Sequence, residues 1–120
     1  MILDTNTLLS DAQAITATAI STNVIQWPAM GTIPRQSGAL TRNLGAGVPM
    51  PILIQVVEDF ATLTSLTITL ETADNAALSS GAVVLHTTGA IAAASLVAGW
   101  RTPLPFMPDA TMKDYLRLRY

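Results

Sequence analysis

The stretch from Thr64 to Ser80 limits the fold of this chain more than any other, because it begins with a strict alternation of polar and apolar residues from Ser65 to Glu71 and continues into a turn. Leu66, Ile68 and Leu70 occupy every second position, with Thr, Ser and Glu at the positions that separate and flank them. Successive side chains of a β-strand point to opposite faces, so this spacing predicts a strand with one face on a core. Asp74-Asn75 follows and suits a turn, because both residues tolerate left-handed backbone and bond their own main chain.

Further segments have the composition of short strands. Residues 14–20 alternate and are rich in β-branched residues, which favours a strand over a helix begun by a Ser10–Gln13 capping box. Residues 51–58 are almost continuously apolar, which predicts a central strand covered on both faces. Residues 91–99 are rich in alanine and fit either a helical turn or a strand. The predicted strands are residues 14–20, 24–27, 51–58, 63–71, 81–87 and 115–120.

This series of short strands and turns predicts an all-β fold, a jelly-roll-like antiparallel β-sandwich of about eight strands. The length of 120 residues predicts one domain spanning residues 1–120. Residues 1–10 are expected to form an N-terminal arm, either frayed or docked on a neighbouring molecule. Residues 28–48 lack periodicity and are rich in proline and glycine, so they are expected to form a long loop or extended arm.

Composition excludes some classes of partner and favours another. Only 12% of the residues are charged, the net charge is −2, and neither sign forms a run, which argues against nucleic-acid binding. The N-terminus lacks a basic signal-peptide region, and the long uncharged stretch at 75–100 is broken by polar residues and glycine, which argues against membrane insertion. So low a charged fraction fits either a β domain rich in threonine and alanine or a protein whose surface is largely covered by partner molecules.

Residues able to perform chemistry are few and scattered. His86 is the only histidine and the chain has no cysteine, so a histidine pair or thiolate site for a metal is excluded. Gly45-Ala46-Gly47 lacks the third glycine of a nucleotide-binding loop. Adjacent Glu58 and Asp59 would point to opposite faces of a strand. We therefore expect no enzyme activity, no cofactor, no metal and no small-molecule substrate.

The residues expected to contact other chains are aromatic, arginine and arm residues. Trp27 and Trp100 lie at strand–loop junctions, where each could either fill the core or anchor a contact, since tryptophan is enriched in the centres of protein interfaces. Arg117 and Arg119 share a predicted strand face with Tyr115, an arrangement that suits stacking of guanidinium groups on aromatic rings across subunits. The predicted interface residues are Met1, Ile2, Leu3, Leu8, Trp27, Arg35, Arg42, Trp100, Arg101, Tyr115, Arg117 and Arg119.

Four stretches, in this order and spacing, resemble the jelly-roll capsid cement proteins of short-tailed bacteriophages. They are residues 9–25, the Leu-Gly-Ala-Gly sequence at 44–47, the alternating strand and turn at 66–77, and the terminal Tyr-Leu-Arg-Leu-Arg-Tyr at 115–120. The segment from Gln26 to Asn43 is longer than the corresponding link in that family. The resemblance therefore transfers least well to contacts made by this loop.

The resemblance implies a structural virion protein that binds the outside of an icosahedral head and stabilises contacts of the major capsid protein against DNA pressure. It implies assembly with copies of itself, for which a homotrimer is expected rather than a homodimer, and synthesis in the host bacterial cytoplasm. The alternative is a carbohydrate- or receptor-binding β-sandwich on a virion or cell surface. Such a module needs an exposed aromatic platform, which only Trp27, Trp100, Tyr115 and Tyr120 would supply.

Overall fold

The computed structural model describes residues 4–47, 49–102 and 106–120, and their regular structure is almost wholly β. Four strands form one antiparallel sheet in the order β1-β4-β2-β3. This confirms the all-β prediction, whereas the count of eight strands and the jelly-roll connectivity stay predictions. The elements are β1 (Ile25–Gln26), β2 (Ser65–Ala73), β3 (Val83–Ala92), β4 (Tyr115–Arg119) and two 3₁₀ turns, Thr5–Thr7 and Ala93–Ser95.

The alternating strand of the sequence is β2, and it lies inside the sheet between β4 and β3. Its predicted core face is confirmed, since Leu66, Ile68 and Leu70 are all buried. On β4 the alternation holds in the same way, with Leu116 and Leu118 buried and their neighbours only partly so. These five residues are five of the seven buried residues in the hydrophobic core cluster.

A second, less regular layer covers that core. Residues 50–56 run antiparallel to 99–102 and 106–107, with isolated bridges between Pro51 and Phe106 and between Gln55 and Arg101. The Val56 N–H donates to the Trp100 carbonyl at 2.9 Å. Val56 belongs to the core cluster, so this layer and the sheet enclose the apolar interior between them.

Two predicted strands were wrong in detail. Residues 14–20 form no strand and contribute only the isolated bridge from Ile20 to Arg119 and two backbone hydrogen bonds between Ala19 and Tyr120, because no described strand lies beside the rest of the segment. Residues 51–58 are not a central strand covered on both faces. Their exposure alternates, with Ile52, Ile54 and Val56 turned to the core and the residues between them exposed, as in a layer with one face in solvent.

Strand β3 also departs from the prediction. It was expected to end at Thr87, yet it continues to Ala92. Gly89 permits this because its φ of +70° is readily adopted only by glycine. The ambiguous alanine-rich segment forms the 3₁₀ turn Ala93–Ser95, a helical turn.

Residues 8–10 of the N-terminal arm are docked on their own chain, whereas the sequence predicts an arm that is frayed or docked on a neighbour. The Asn23 side chain and backbone donate to the carbonyls of Leu8 and Leu9 at 3.0 and 2.9 Å. The Ser10 hydroxyl donates to Gln13 Oε1 at 2.8 Å and lies 2.7 Å from the Tyr120 hydroxyl. These contacts attach Leu8 and Leu9 to Asn23, and Ser10 to the last residue of the chain.

Stability at alkaline pH should depend on Tyr120. Burial raises the pKa of its hydroxyl above the ordinary value of 10.0, and the hydrogen bond with Ser10 opposes this in part. A group whose pKa is raised by folding stabilises the fold below its unfolded-state pKa and loses that contribution as the pH rises through the folded value. We expect urea denaturation to show a steeper loss of stability above pH 10.0 for the natural protein than for Tyr120→Phe. Parallel pH profiles would contradict this.

Candidate functional site

The most exposed part of the long loop is residues 31–40, which leave the body of the protein and return to it; we call this segment the finger. All ten of its residues are exposed. The Leu40 N–H donates to the Gly31 carbonyl at 2.9 Å, and the Gln36 N–H donates to the Ile33 carbonyl at 3.0 Å. The two ends of the finger are therefore held together, and the segment between them turns back on itself around Arg35, whose φ is +72°.

The finger presents apolar side chains to solvent. Ile33 and Leu40 are 44% and 45% exposed, and Met30 just before the finger is 37% exposed. Arg35 is the one charged residue of the finger sequence. Apolar side chains gathered on an exposed excursion, with one cation among them, are typical of a surface that binds another protein.

A buried arginine anchors the base of the finger. Arg42 is only 8% exposed. Its Nη2 donates to the Pro28 carbonyl at 2.7 Å, and its Nη1 donates to the Lys113 carbonyl at 2.6 Å and to Asp114 Oδ1 at 3.1 Å. One guanidinium therefore ties the start of the loop to the segment that leads into β4.

The next residue, Asn43, also holds the end of the loop in place. Asn43 Oδ1 accepts hydrogen bonds from the N–H groups of Gly45, Ala46 and Ala110 at 3.1 to 3.3 Å. Its Nδ2 donates to Asp109 Oδ1. Side-chain hydrogen bonds therefore fix the loop at Arg42 and Asn43, just after the finger. Within the described part of the chain, the side chains of the finger itself make no such bonds.

A cleft of about 300 Å³ lies at the base of the finger. Trp27 and Arg42, both predicted from sequence to contact other chains, line this cleft together. Trp27 Nε1 is buried and has no hydrogen-bond partner in the described part of the chain. The other residues lining the cleft are Pro28, Met30, Thr41, Asn43 and Leu44.

Two other predicted interface arginines bind groups of their own chain. The Arg117 guanidinium donates to the carbonyls of Ala76 at 2.7 Å, Thr22 at 3.2 Å and Ser21, and burial lowers its pKa. Arg119 Nε lies 3.0 and 3.1 Å from the two carboxylate oxygens of buried Glu71. Both side chains hold loops or strands together, and their role in contacts with other chains stays a prediction.

The remaining predicted residues are spread over the molecule. Trp100 packs against the core cluster, whereas neighbouring Arg101 is exposed in the second layer opposite Gln55. Tyr115 is half-buried on β4, and Leu8 is 38% exposed on the docked arm. Met1, Ile2 and Leu3 lie outside the described residues. The structure brings together Trp27 and Arg42 and places Arg35 on the adjoining finger, but it does not join the others to them.

Sequence reasoning missed Asn43 and the apolar residues of the finger. Asn43 stands two residues before Gly45, and asparagine commonly bonds backbone N–H groups two and three positions ahead, so a local signal was present. Ile33 and Leu40 carry no such signal, because isolated apolar residues in an aperiodic loop do not reveal whether they are covered.

The residues considered for chemistry have ordinary structural surroundings. His86 is half-buried on β3 opposite Leu70. Asp59 Oδ1 accepts the Ala98 N–H at 2.6 Å. Across residues 4–47, 49–102 and 106–120, no three histidine, cysteine or acidic residues lie together as metal ligands would. The same part of the chain contains no helix with the length and apolar character needed to cross a membrane.

Comparison with known proteins identifies the family of this chain but no individual relative. No curated protein matches this sequence. The model of the family described as Bbp16 matches residues 9–120. Because this match runs over nearly the whole chain, the protein belongs to the Bbp16 family.

Proposed function

We propose that this protein is a capsid cement, or decoration, protein. It binds the outer surface of an icosahedral bacteriophage head and stabilises contacts of the major capsid protein against the pressure of packaged DNA. The exposed apolar finger with its buried anchor is the observation that carries this proposal. The sequence resemblance supports the same function. The partners are the major capsid protein and further copies of the chain, as trimers or dimers.

The finger supplies binding free energy through apolar burial. Complete removal of a leucine or isoleucine side chain from water contributes about 1.5–3 kcal/mol. Ile33 and Leu40 keep nearly half of their surface exposed in the single chain, so contact with a partner has apolar area left to bury. Many copies on one head add such modest contributions, because linked contacts reinforce one another.

The anchor lowers the cost of that contact. Ordering a flexible loop at an interface costs free energy, and a loop already held in its bound shape avoids part of this cost. Arg42 and Asn43 hold the finger by bonds to residues about 70 positions along the chain, at Ala110 and Lys113. The molecule extends 57 Å along its longest axis and 24 Å along its shortest, a shape suited to reaching across a boundary between subunits.

Binding to heads tests the proposal. Purified protein should cosediment with heads assembled without it, and Leu40→Asp should weaken binding at least about tenfold, since one buried carboxylate costs more than the 1.4 kcal/mol that corresponds to tenfold. Leu53→Asp is the matched control, because Leu53 is similarly exposed, at 40%, but lies on the second layer. Absence of cosedimentation, or equal binding by both variants, would contradict the proposal.

A further inference from the structure

We infer that the cleft at the base of the finger receives an extended segment of the major capsid protein, and that a backbone carbonyl of this segment accepts the indole N–H of Trp27. The inference rests on the proposed function and names the part of the partner that this site takes. Trp27 is one of the residues that line the cleft. Its Nε1 is buried and has no hydrogen-bond partner in the described part of the chain.

An unpaired buried donor is a deficit that a partner can remove. A buried N–H that has left water without gaining an acceptor raises the free energy of the chain, and nearly all such groups in native proteins are therefore paired. The larger polar side chains beside Trp27 in the cleft already bind groups of their own chain. Both Nη atoms of Arg42 donate to backbone carbonyls, and both amide atoms of Asn43 are hydrogen-bonded. Trp27 differs from them, so its acceptor can come from another molecule.

The lining of the cleft favours a peptide over a sugar. Pro28, Met30 and Leu44 lie there with the Trp27 ring, so most of the lining side chains are apolar. A sugar needs several free polar partners, whereas the guanidinium of Arg42 is already bonded within the chain. The volume of about 300 Å³ is at the lower end for a ligand pocket. It suits one apolar side chain with the peptide group beside it.

The free donor also restricts the conformation of that peptide. Backbone carbonyls inside a helix or a sheet are bonded to N–H groups of the same structure, so they are poor acceptors for an outside donor. An extended segment outside a sheet has no such internal bonds. It can therefore offer a carbonyl to Trp27 while its neighbouring side chain enters the cleft, as extended peptides do in aromatic-lined grooves.

The position of the cleft selects the capsid protein as the partner. Met30 and Thr41 line the cleft and directly flank the finger. A capsid subunit that covers Ile33 and Leu40 therefore lies beside the cleft as well. Contact with the buried Nε1 requires the lining to shift, and Met30 suits this because its unbranched side chain is flexible and 37% exposed.

Binding of purified protein to heads assembled without it tests this inference. Trp27→Phe keeps an aromatic ring in the cleft but removes the donor, and it should weaken binding at least about threefold, the effect of one lost hydrogen bond. Trp100→Phe is the matched control, since Trp100 packs against the core and does not line the cleft, and it should bind like the natural protein.

The outcomes of this experiment separate the inference from the proposed function. Equal binding by Trp27→Phe and Trp100→Phe, when the natural protein binds, would overturn the inference and leave the proposed function standing. Failure of the natural protein to bind heads would contradict the proposed function and the inference with it.

A second measurement preserves the shape of the side chain. The chain has two tryptophans, so Trp100→Phe leaves Trp27 as the single position that a tryptophan analogue can enter. Biosynthetic incorporation of benzothienylalanine replaces the indole N–H by sulfur and keeps a fused ring of similar size. Trp100→Phe protein with this analogue should be at least as stable as Trp100→Phe protein with tryptophan, yet it should bind heads at least about threefold more weakly. Equal affinities would overturn the inference.

Discussion

Replacement of Gly45 by alanine should lower the free energy of unfolding by about 3 kcal/mol, the upper end of what overpacking usually costs. A Cβ atom at this position would overlap the backbone of Pro108 and Asp109. Backbone atoms cannot rotate away as a flexible side chain does, so the loop and the segment before β4 would have to separate. The Asn43 bonds to Gly45, Ala46 and Ala110 would be strained by the same movement.

Gly31→Ala is the matched control for this substitution. Gly31 lies in the same long loop, and a Cβ atom there would meet no heavy atom within 4 Å. Its effect on stability should stay within about 0.5 kcal/mol, as for most surface substitutions. Urea denaturation of the two variants and the natural protein gives both values. Coincident denaturation midpoints for Gly45→Ala and Gly31→Ala would show that the close backbone contact is not present in solution.

Arg42→Ala should cost about 2–4 kcal/mol of folding free energy, since it removes the hydrogen bonds of a buried, charged guanidinium to two backbone carbonyls. The groups affected are the carbonyls of Pro28 and Lys113. Arg42→Lys should recover only part of the loss, because one ammonium group cannot span acceptors that the planar guanidinium reaches on two nitrogens. Arg35→Ala removes an exposed arginine from the finger and should leave stability nearly unchanged.

Limited proteolysis separates loss of the anchor from general unfolding. Trypsin cuts after arginine, and Arg35 lies in the exposed finger. Once the base of the finger is released, cleavage at Arg35 should become severalfold faster in Arg42→Ala under conditions where circular dichroism still reports a folded sheet. Unchanged cleavage in a folded Arg42→Ala protein would contradict the assignment of Arg42 as the anchor.

Local patterns predicted the parts of the fold that depend on burial of one strand face. The alternation of β2 and β4 identifies their core residues directly, because Leu66, Ile68, Leu70, Leu116 and Leu118 all lie on the predicted face. The same rule failed for residues 14–20. Alternation shows that a segment suits a strand, but a strand also needs a neighbour to pair with. Within residues 14–20, only Ala19 and Ile20 make backbone pairs with the last residues of the chain.

The candidate site was predictable only in part for a similar reason. The residue types of Trp27 and Arg42 predict contacts with other chains, and the two side chains line one cleft. Nothing near Arg42 in the sequence indicates that its partners are Pro28, Lys113 and Asp114, since two of these lie more than 70 residues away. Arginine in a polar loop looks solvated until the segment that buries it is known.

Heating of bacteriophage heads tests the central proposal most directly. Heads that lack the protein are filled with DNA, mixed with the purified chain, and heated while a dye reports DNA release. The proposed function predicts release at a higher temperature with the natural protein than without it, with little increase for Leu40→Asp and a full increase for Leu53→Asp. Release at the same temperature with and without saturating natural protein would contradict a cement function.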